Sequence, residues 1–268
     1  MLTDQQTQTM ALATLGVLGG ALVVWLLSRA MRTGYTWAQL PFYPLLQLYG
    51  RVIWRTTISG PLPVADHQGA VIVANHRSAI DPAFVQLAAN RLGHWMVARE
   101  FCTIWGLGWV FRILWAIPVN RGGVDTAATK AAIRFAEEGD LVGLFPEGRI
   151  NTTDDVLLPG RPGAALIALK ARVPVIPCFI HGAPYDGTTF GCFFMPARVH
   201  VAVGQPIDIS AYYGREGEKE VLEELTLRFL KEMAKLAGQP DFQPRLAGRF
   251  YKPGLTEENH LTVGAGVQ

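Results

Sequence analysis

The hydrophobic pattern of the chain opens with one long uncharged stretch at residues 10–27, which ends just before Arg29 and Arg32. A stretch of this length is just enough to cross a hydrocarbon core of about 30 Å. It predicts a membrane anchor within residues 1–33. No Lys or Arg precedes the stretch, so the positive-inside rule places the rest of the chain in the cytoplasm. A cleaved signal peptide is the alternative, but a basic leading region and a small-residue cleavage site are not evident.

The next stretch, residues 34–59, is aromatic and apolar with few charges. Aromatic and basic residues of this kind suit the headgroup level of a membrane, which predicts an interfacial amphipathic segment. The alternative is a helix packed on the domain core. Pro41 and Pro44 argue against one continuous helix through residues 35–55.

From Gly60 onward, short apolar runs alternate with amphipathic segments. Strands are predicted at residues 71–74, 95–98, 116–119, 141–145, 175–180 and 199–203. Helices are predicted at residues 82–92, 125–138, 163–171 and 218–236, with Asp125 near the N-cap of the second. Residues 104–115 suit either an apolar helix or a membrane-facing segment. This alternation predicts an α/β domain over residues 60–238, with a largely parallel sheet flanked by helices, and a loose tail at 239–268.

Composition narrows the class of protein. Half of the 268 residues are hydrophobic, 17% are charged and the net charge is +2, which fits one domain with a substantial core. The chain has no dense Lys/Arg block, so nucleic acid is not an expected partner. Cys102, Cys178 and Cys192 form no CxxC pair, which indicates thiols in a reducing compartment.

The first candidate site residues are His76 and Asp81, which follow an apolar strand. A histidine oriented by a carboxylate can act as a general base near neutral pH. His181 and Asp186 repeat the same spacing after another apolar run. Spacing alone therefore does not choose between the two histidines.

Three later segments add groups of the same kind. Arg121 ends a predicted strand in a Gly-rich turn, and its guanidinium suits a phosphate. The run Phe145, Pro146, Glu147, Gly148 and Arg149 places a carboxylate and an arginine after another strand, and Pro174 and Pro177 flank a strand start. Each segment alone has an ordinary structural reading. The chain has no GxSxG motif, so we expect no covalent acyl-enzyme.

Together, in this order, the four segments resemble the glycerolipid acyltransferase family, which includes the 1-acylglycerol-3-phosphate acyltransferases. The matching residues are Asn75, His76, Ser78 and Asp81 in the first block, Arg121 in the second, Phe145 to Gly148 in the third, and Val173 to Pro177 in the fourth. The resemblance covers roughly residues 60–206, and four ordered blocks are more specific than any one. It favours His76 over His181, because only His76 precedes the other blocks.

The resemblance implies a glycerol-3-phosphate acyltransferase-like fold and acyl transfer from acyl-CoA or acyl-carrier protein to a lysophospholipid hydroxyl. The expected acceptor is 1-acylglycerol-3-phosphate and the product phosphatidate, with no metal or bound cofactor. His76 would be the base and Asp81 would orient it, while Arg121, Glu147 and Arg149 would hold the phosphate and glycerol. The remaining residues of the blocks would line the substrate site.

The third block departs from the family pattern, because many relatives have Thr-Arg-Ser where this chain has Arg149, Ile150 and Asn151. Two alternatives therefore stay open. One is an acyltransferase for another lyso-lipid or an aminolipid. The other is a non-catalytic membrane lipid-binding protein, against which the intact His76 and Asp81 argue.

Overall fold

The computed structural model describes residues 3–33, 35–89, 91–120, 125–188 and 190–248. The strands are β1 (Thr57–Ile58), β2 (Ala70–Val73), β3 (Gly93–Ala98), β4 (Ile117–Val119), β5 (Leu141–Leu144), β6 (Val175–His181) and β7 (His200–Val203). The helices are α1 (Asp4–Thr33), α2 (Phe42–Val52), α3 (Asp81–Gln86), α4 (Arg99–Cys102), α5 (Leu107–Ile113), α6 (Thr126–Glu137), α7 (Gly163–Ala171) and α8 (Lys219–Leu236). Short 3₁₀ helices lie at Gly191–Phe194 and Ser210–Tyr212.

The sheet has the order β1-β7-β6-β2-β5-β3-β4. From β6 to β4 all neighbours are parallel, whereas β7 is antiparallel to β6 and pairs with β1 in parallel. The predicted largely parallel sheet is thus confirmed. The link from β6 to β7 carries the Gly191–Phe194 3₁₀ turn in place of a crossover helix, and a parallel return normally needs such a crossover.

Strand β2 lies in the middle of the sheet, and all four of its residues are buried. Val71 and Val73 belong to the core cluster that includes α6, α7 and α8. Ala70 and Ile72 belong to the opposite cluster, which includes α3. Because side chains alternate along a strand, a continuous apolar run is what a sheet covered on both faces requires.

The predicted start of α6 agrees with the structure, because its N-cap residue is visible in the sequence. Asp125 caps α6 by accepting a hydrogen bond from the Ala128 N–H at 3.0 Å. The predicted helix at 82–92 is shorter, since α3 ends at Gln86, whose side chain instead contacts the backbone of Arg91 and Gly93. Residues 104–115 are divided between a turn and α5, which together with α4 form a helical hairpin.

Helix α1 lies within the predicted anchor, residues 1–33, and α2 lies within the predicted interfacial segment, residues 34–59. In α1, Asp4–Trp25 is long and apolar enough to cross a membrane by length and composition, and none of it is buried. Helix α2 begins directly after Pro41, and Pro44 falls in its first turn. A proline there costs little, because the first N–H groups of a helix have no intrahelical acceptor.

Gly143 on β5 generates a packing prediction, because a Cβ at this position would lie 2.6 Å from the buried Trp95 ring. Gly143→Ala should therefore lower the free energy of unfolding by about 1–3 kcal/mol through overpacking. Thermal unfolding in detergent measures the effect. Gly60→Ala is the matched control, since a Cβ there meets nothing within 4 Å. Equal melting temperatures for the two variants would contradict this account.

Candidate active site

The carboxyl ends of the parallel strands bring the candidate residues to one edge of the sheet. His76 follows β2, the Pro146 to Arg149 turn follows β5, and β2 pairs directly with β5 in the register Val73↔Leu144. Active sites of open parallel sheets lie at this edge. The side chains described below come mainly from these two neighbouring loops.

His76 and Asp81 form a hydrogen-bonded pair. His76 Nδ1 lies 2.9 Å from Asp81 Oδ2, and Asp81 is fully buried while the His76 side chain is 14% exposed. A carboxylate only accepts, so Nδ1 carries the proton and Nε2 is left with its lone pair. In the neutral ring, Nε2 is therefore the nitrogen that can act as a base.

The same carboxylate oxygen organises the turn after β2. Asp81 Oδ2 also accepts the backbone N–H of Arg77 at 2.6 Å and that of Ser78 at 2.7 Å. These charge-assisted hydrogen bonds compensate for burying the carboxylate. One atom therefore fixes both the path of the turn and the orientation of the His76 ring.

Glu147 supports the backbone of His76. Its Oε1 accepts the His76 N–H at 2.8 Å and its Oε2 accepts the Leu158 N–H at 2.8 Å. Burial raises the pKa of the Glu147 carboxyl to about 7, against the two backbone donors and the Arg77 charge, which lower it. Each carboxylate oxygen already accepts a backbone N–H. Glu147 is therefore better suited to position the backbone than to bind a substrate.

A second tie joins His76 to the loop after β5. The N–H of the buried Asn151 donates to the His76 carbonyl at 2.6 Å. The Arg77 guanidinium donates to the carbonyls of Asn151, Thr153 and Asp155, so it spans the whole loop. Sequence reasoning missed this clamp, because Arg77 occupies a variable position of the first block. The loop that departs from the family pattern is therefore joined to His76 and Arg77 by hydrogen bonds.

Aromatic rings stack on the candidate base, His76. The Phe145 ring is stacked on His76 with centroids 4.1 Å apart and planes 7° apart. The Trp95 ring in turn stacks on Phe145, with the two ring centroids 5.3 Å apart. Phe145 of the third block is thus placed to hold the imidazole plane, while Asp81 holds its rotation.

The other first-block residues, Asn75 and Ser78, are buried. The amide of the buried Asn75 exchanges hydrogen bonds with the backbone of Ile180, at 3.0 Å to the carbonyl and 2.6 Å from the N–H. Ser78 is fully buried and faces away from solvent. In the third block, the Pro146 carbonyl accepts the Arg161 N–H at 2.9 Å, and Gly148 has a φ of +69°, a conformation that favours glycine. Arg149 is half-buried in the same turn.

The fourth block lies away from His76. Pro174 precedes β6 at the amino edge, where its carbonyl accepts the Val71 N–H, so the structure does not bring it to the site. Pro177 is buried inside β6, and its carbonyl accepts the Gly204 N–H at 2.8 Å, one position beyond the last registered pair with β7, Cys178↔Val203. A proline, which has no N–H to donate, thus stands at the end of this ladder. Arg121 of the second block lies outside the described residues.

The rival histidine makes no dyad. Nε2 of His181 lies 3.4 Å from the Leu236 carbonyl, and its ring contacts Phe179 and His200. Asp186 instead accepts hydrogen bonds from the N–H and hydroxyl of Thr188. The choice of His76 made from the order of the blocks agrees with this geometry.

Arg161 is a basic residue at the site that the sequence reading did not single out. Its side chain passes beside Gly148, where an added Cβ would lie 3.3 Å from Cδ and Nε. Within the described part of the chain, no residue forms a hydrogen bond or ion pair with its guanidinium. A partly buried, unpaired guanidinium next to a catalytic turn is suited to an anionic group of a substrate.

Comparison with known proteins identifies relatives of this chain. The family model described as Acyltransferase matches residues 55–181. A 1-acyl-sn-glycerol-3-phosphate acyltransferase from Bacillus subtilis is 27% identical over 65% of this chain and 83% of its own length. The beta enzyme of the same name from Homo sapiens is 28% identical over 58% of this chain, and one from Limnanthes alba is 31% identical over 50%. The chain spans about half the length of these last two proteins, 57% and 49%.

A solved structure shows the same fold. The 1-acyl-sn-glycerophosphate (LPA) acyltransferase PlsC from Thermotoga maritima aligns with a TM-score of 0.57 and 22% sequence identity. The alignment covers 79% of this chain and 88% of that one. It therefore supports a helix-flanked, mostly parallel sheet for this chain.

The unusual pKa of Glu147 predicts a pH dependence of stability. A carboxyl whose pKa rises from 4.5 to about 7 on folding binds more protons in the folded than in the unfolded chain between those values. Stability from this group is therefore greatest at low pH and falls as pH rises through that window, by at most about 3 kcal/mol. The melting temperature in detergent should decrease from pH 5 to pH 8.

Glu147→Gln tests the assignment to this carboxyl. The glutamine amide cannot titrate, and its NH₂ group would face a backbone N–H donor. The variant should therefore be less stable than wild type at every pH, by about 1–3 kcal/mol. Its melting temperature should also change less with pH. An unchanged slope in Glu147→Gln would show that another group causes the wild-type pH dependence.

Proposed function

Because this chain belongs to the glycerolipid acyltransferase family, we propose that it transfers a fatty acyl group from a thioester donor, acyl-CoA or acyl-carrier protein, to the free hydroxyl of 1-acylglycerol-3-phosphate. The product is phosphatidate. The observation that carries the proposal is the His76–Asp81 pair, with its free Nε2 at the carboxyl edge of the sheet. The relatives with the matching name support the choice of acceptor.

The proposed reaction is direct transfer. Nε2 of His76 takes the proton of the acceptor hydroxyl while its oxygen attacks the thioester carbonyl. The tetrahedral intermediate collapses, the carbon–sulfur bond breaks, and the imidazolium returns the proton to the leaving thiolate. Asp81 stabilises the imidazolium through the 2.9 Å contact at Nδ1. Atoms and charge balance without a further reactant.

The surrounding groups position the base. Glu147 and Asn151 hold the N–H and the carbonyl of His76, so the backbone is fixed on both sides of the His76 Cα. Phe145 restricts the plane of the ring. Such preorganisation reduces the entropy lost when base and acceptor meet.

The acceptor phosphate requires cationic groups at the same edge. Arg161 beside Gly148 is the described guanidinium best placed for it, and Arg149 lies in the adjoining turn. Arg121 of the second block remains a predicted third contributor. A bidentate guanidinium matches phosphate in geometry as well as in charge.

The membrane supplies the acceptor and retains the product. We place α1 as a single-pass anchor with the catalytic domain in the cytoplasm, on the length and composition of Asp4–Trp25 and the arginines that follow. A lipid held in the same leaflet as the enzyme diffuses in two dimensions, which raises its effective concentration at the site.

The decisive experiment is acyl transfer by purified membranes that carry wild type, His76→Ala or His181→Ala. Labelled acyl-CoA, and then acyl-carrier protein, is offered with lysophosphatidate and a panel of other lyso-lipids. His76→Ala should lose about 10²–10⁴-fold in rate because the base is gone. His181→Ala, the matched control from the other His-x₄-Asp segment, should stay near wild type.

The outcomes separate the readings. Equal losses in the two variants would contradict the assignment of the base. Transfer only to a different lyso-lipid would keep the chemistry and attribute the acceptor to the altered loop after Glu147. No transfer by wild type from either donor would favour a lipid-binding protein.

Arg161→Ala tests the phosphate contact. Loss of a charge-assisted hydrogen bond should lower kcat/KM for lysophosphatidate about 10- to 100-fold, mainly through KM. Monoacylglycerol, which lacks the phosphate, should be affected little. Arg134→Ala, at an exposed position on α6, is the control. A uniform loss on both acceptors would assign Arg161 to folding of the turn.

A further inference from the structure

Helices α4 and α5 and the turn between them carry exposed tryptophans. We call residues 99–114 the tryptophan hairpin. Trp105 in the turn is 98% exposed and Trp109 on α5 is 61% exposed. Not one residue of either helix is buried. Trp is rarely left fully in water, and clustered exposed apolar side chains mark an interaction surface.

The tryptophan hairpin is attached to the segment that follows α1. The side chain of Gln39, itself buried, donates to the Ile113 carbonyl at 2.7 Å. The Phe42 ring at the start of α2 lies 6.3 Å from the Trp109 ring. The hairpin and α2 therefore form one surface directly after the span-length helix.

Helix α2 continues this surface. It buries Tyr43 and Gly50 against the domain, with Gly50 close to Leu87. Its outward face carries further exposed apolar side chains, namely Leu45, Leu48 and Val52, all more than half exposed, and Trp37 precedes it at 80% exposure. A helix that is apolar on both its inner and outer faces needs a partner on the outer one.

The charges around the surface indicate what that partner is. Exposed arginines flank it, namely Arg51, Arg55, Arg99 and Arg112, and Glu100 is the acidic residue within the hairpin. An apolar centre with tryptophans and a basic rim matches the interface of a bilayer with anionic headgroups.

We propose that the tryptophan hairpin inserts Trp105 and Trp109 into the membrane interface and seats the catalytic edge on the bilayer, as a contact separate from α1. The hairpin leaves the sheet at the carboxyl end of β3, next to β5, the strand that precedes the Glu147 turn. This proposal deepens the proposed function by naming the surface through which the membrane-held acceptor is reached.

Lipid contact is measured on the full-length chain reconstituted in vesicles of phosphatidylcholine and phosphatidylglycerol. Cys102→Ser provides the background, because Cys178 and Cys192 are buried. A fluorophore is attached at Trp105→Cys, and at Ala65→Cys in the exposed loop before β2 as the control for the opposite edge. Nitroxide-labelled lipids should quench the first probe at least about threefold more than the second.

Activity provides the second arm. Trp105→Ser/Trp109→Ser should lower transfer to long-chain lysophosphatidate in vesicles about tenfold, with little change for a short-chain, water-soluble lysophosphatidate. Equal quenching at residues 105 and 65 would overturn the proposal. Disulfide-linked dimers through Trp105→Cys without quenching would also overturn it, in favour of a second copy of the chain as the occupant.

The two proposals fail in distinguishable ways. Quenching of the probe at residue 105, together with no acyl transfer by the wild-type chain to either acceptor, would refute the proposed reaction and support the membrane contact. Normal transfer with an unquenched probe would refute only the membrane contact.

Discussion

One buried carboxylate oxygen, Asp81 Oδ2, determines the turn that carries the candidate base, His76. It accepts from the His76 ring and from the N–H groups of Arg77 and Ser78. Leaving any of these donors unpaired in the interior would cost more than a typical hydrogen bond gains, so the turn has one stable arrangement. The same oxygen consequently determines both the orientation of the His76 ring and the path of the chain. A site built this way needs the carboxylate even before any substrate arrives.

The loop after β5 extends that constraint across the sheet. Glu147 accepts the His76 N–H and Asn151 donates to the His76 carbonyl. The Arg77 guanidinium donates to the Asn151 carbonyl in the same loop. Two segments about seventy residues apart thus behave as one unit, because their strands pair in parallel and end at the same edge. The carboxylate of the Phe-Pro-Glu-Gly turn is explained here by backbone satisfaction, without a role in holding an anionic substrate. A substitution that removes one of these contacts would therefore also release the backbone that carries His76.

The sequence predicted the parts of this arrangement that depend on strand direction. Apolar runs followed by polar turns locate β2 and β5, and parallel pairing then brings His76 and Glu147 together. It could not supply side-chain direction within a turn, so Glu147 was expected to face substrate and faces the backbone of His76. Arg161 is separated from Gly148 by a loop whose path no periodicity reveals. Pro174 was grouped with the site by its block, although a residue before a parallel strand lies at the opposite edge.

The proposed acceptor is amphiphilic, which imposes one further condition on the fold. A lysophosphatidate in a bilayer keeps its acyl chain in the apolar layer and its phosphate in water, with the glycerol hydroxyl between them. An enzyme that acts on it without extracting it needs its cations, its base and an apolar surface in that vertical order. Arg161, His76 and the tryptophan hairpin all belong to loops at the carboxyl edge of neighbouring strands. A parallel sheet meets the condition economically, because its catalytic loops leave from one edge, and that edge can rest on the membrane.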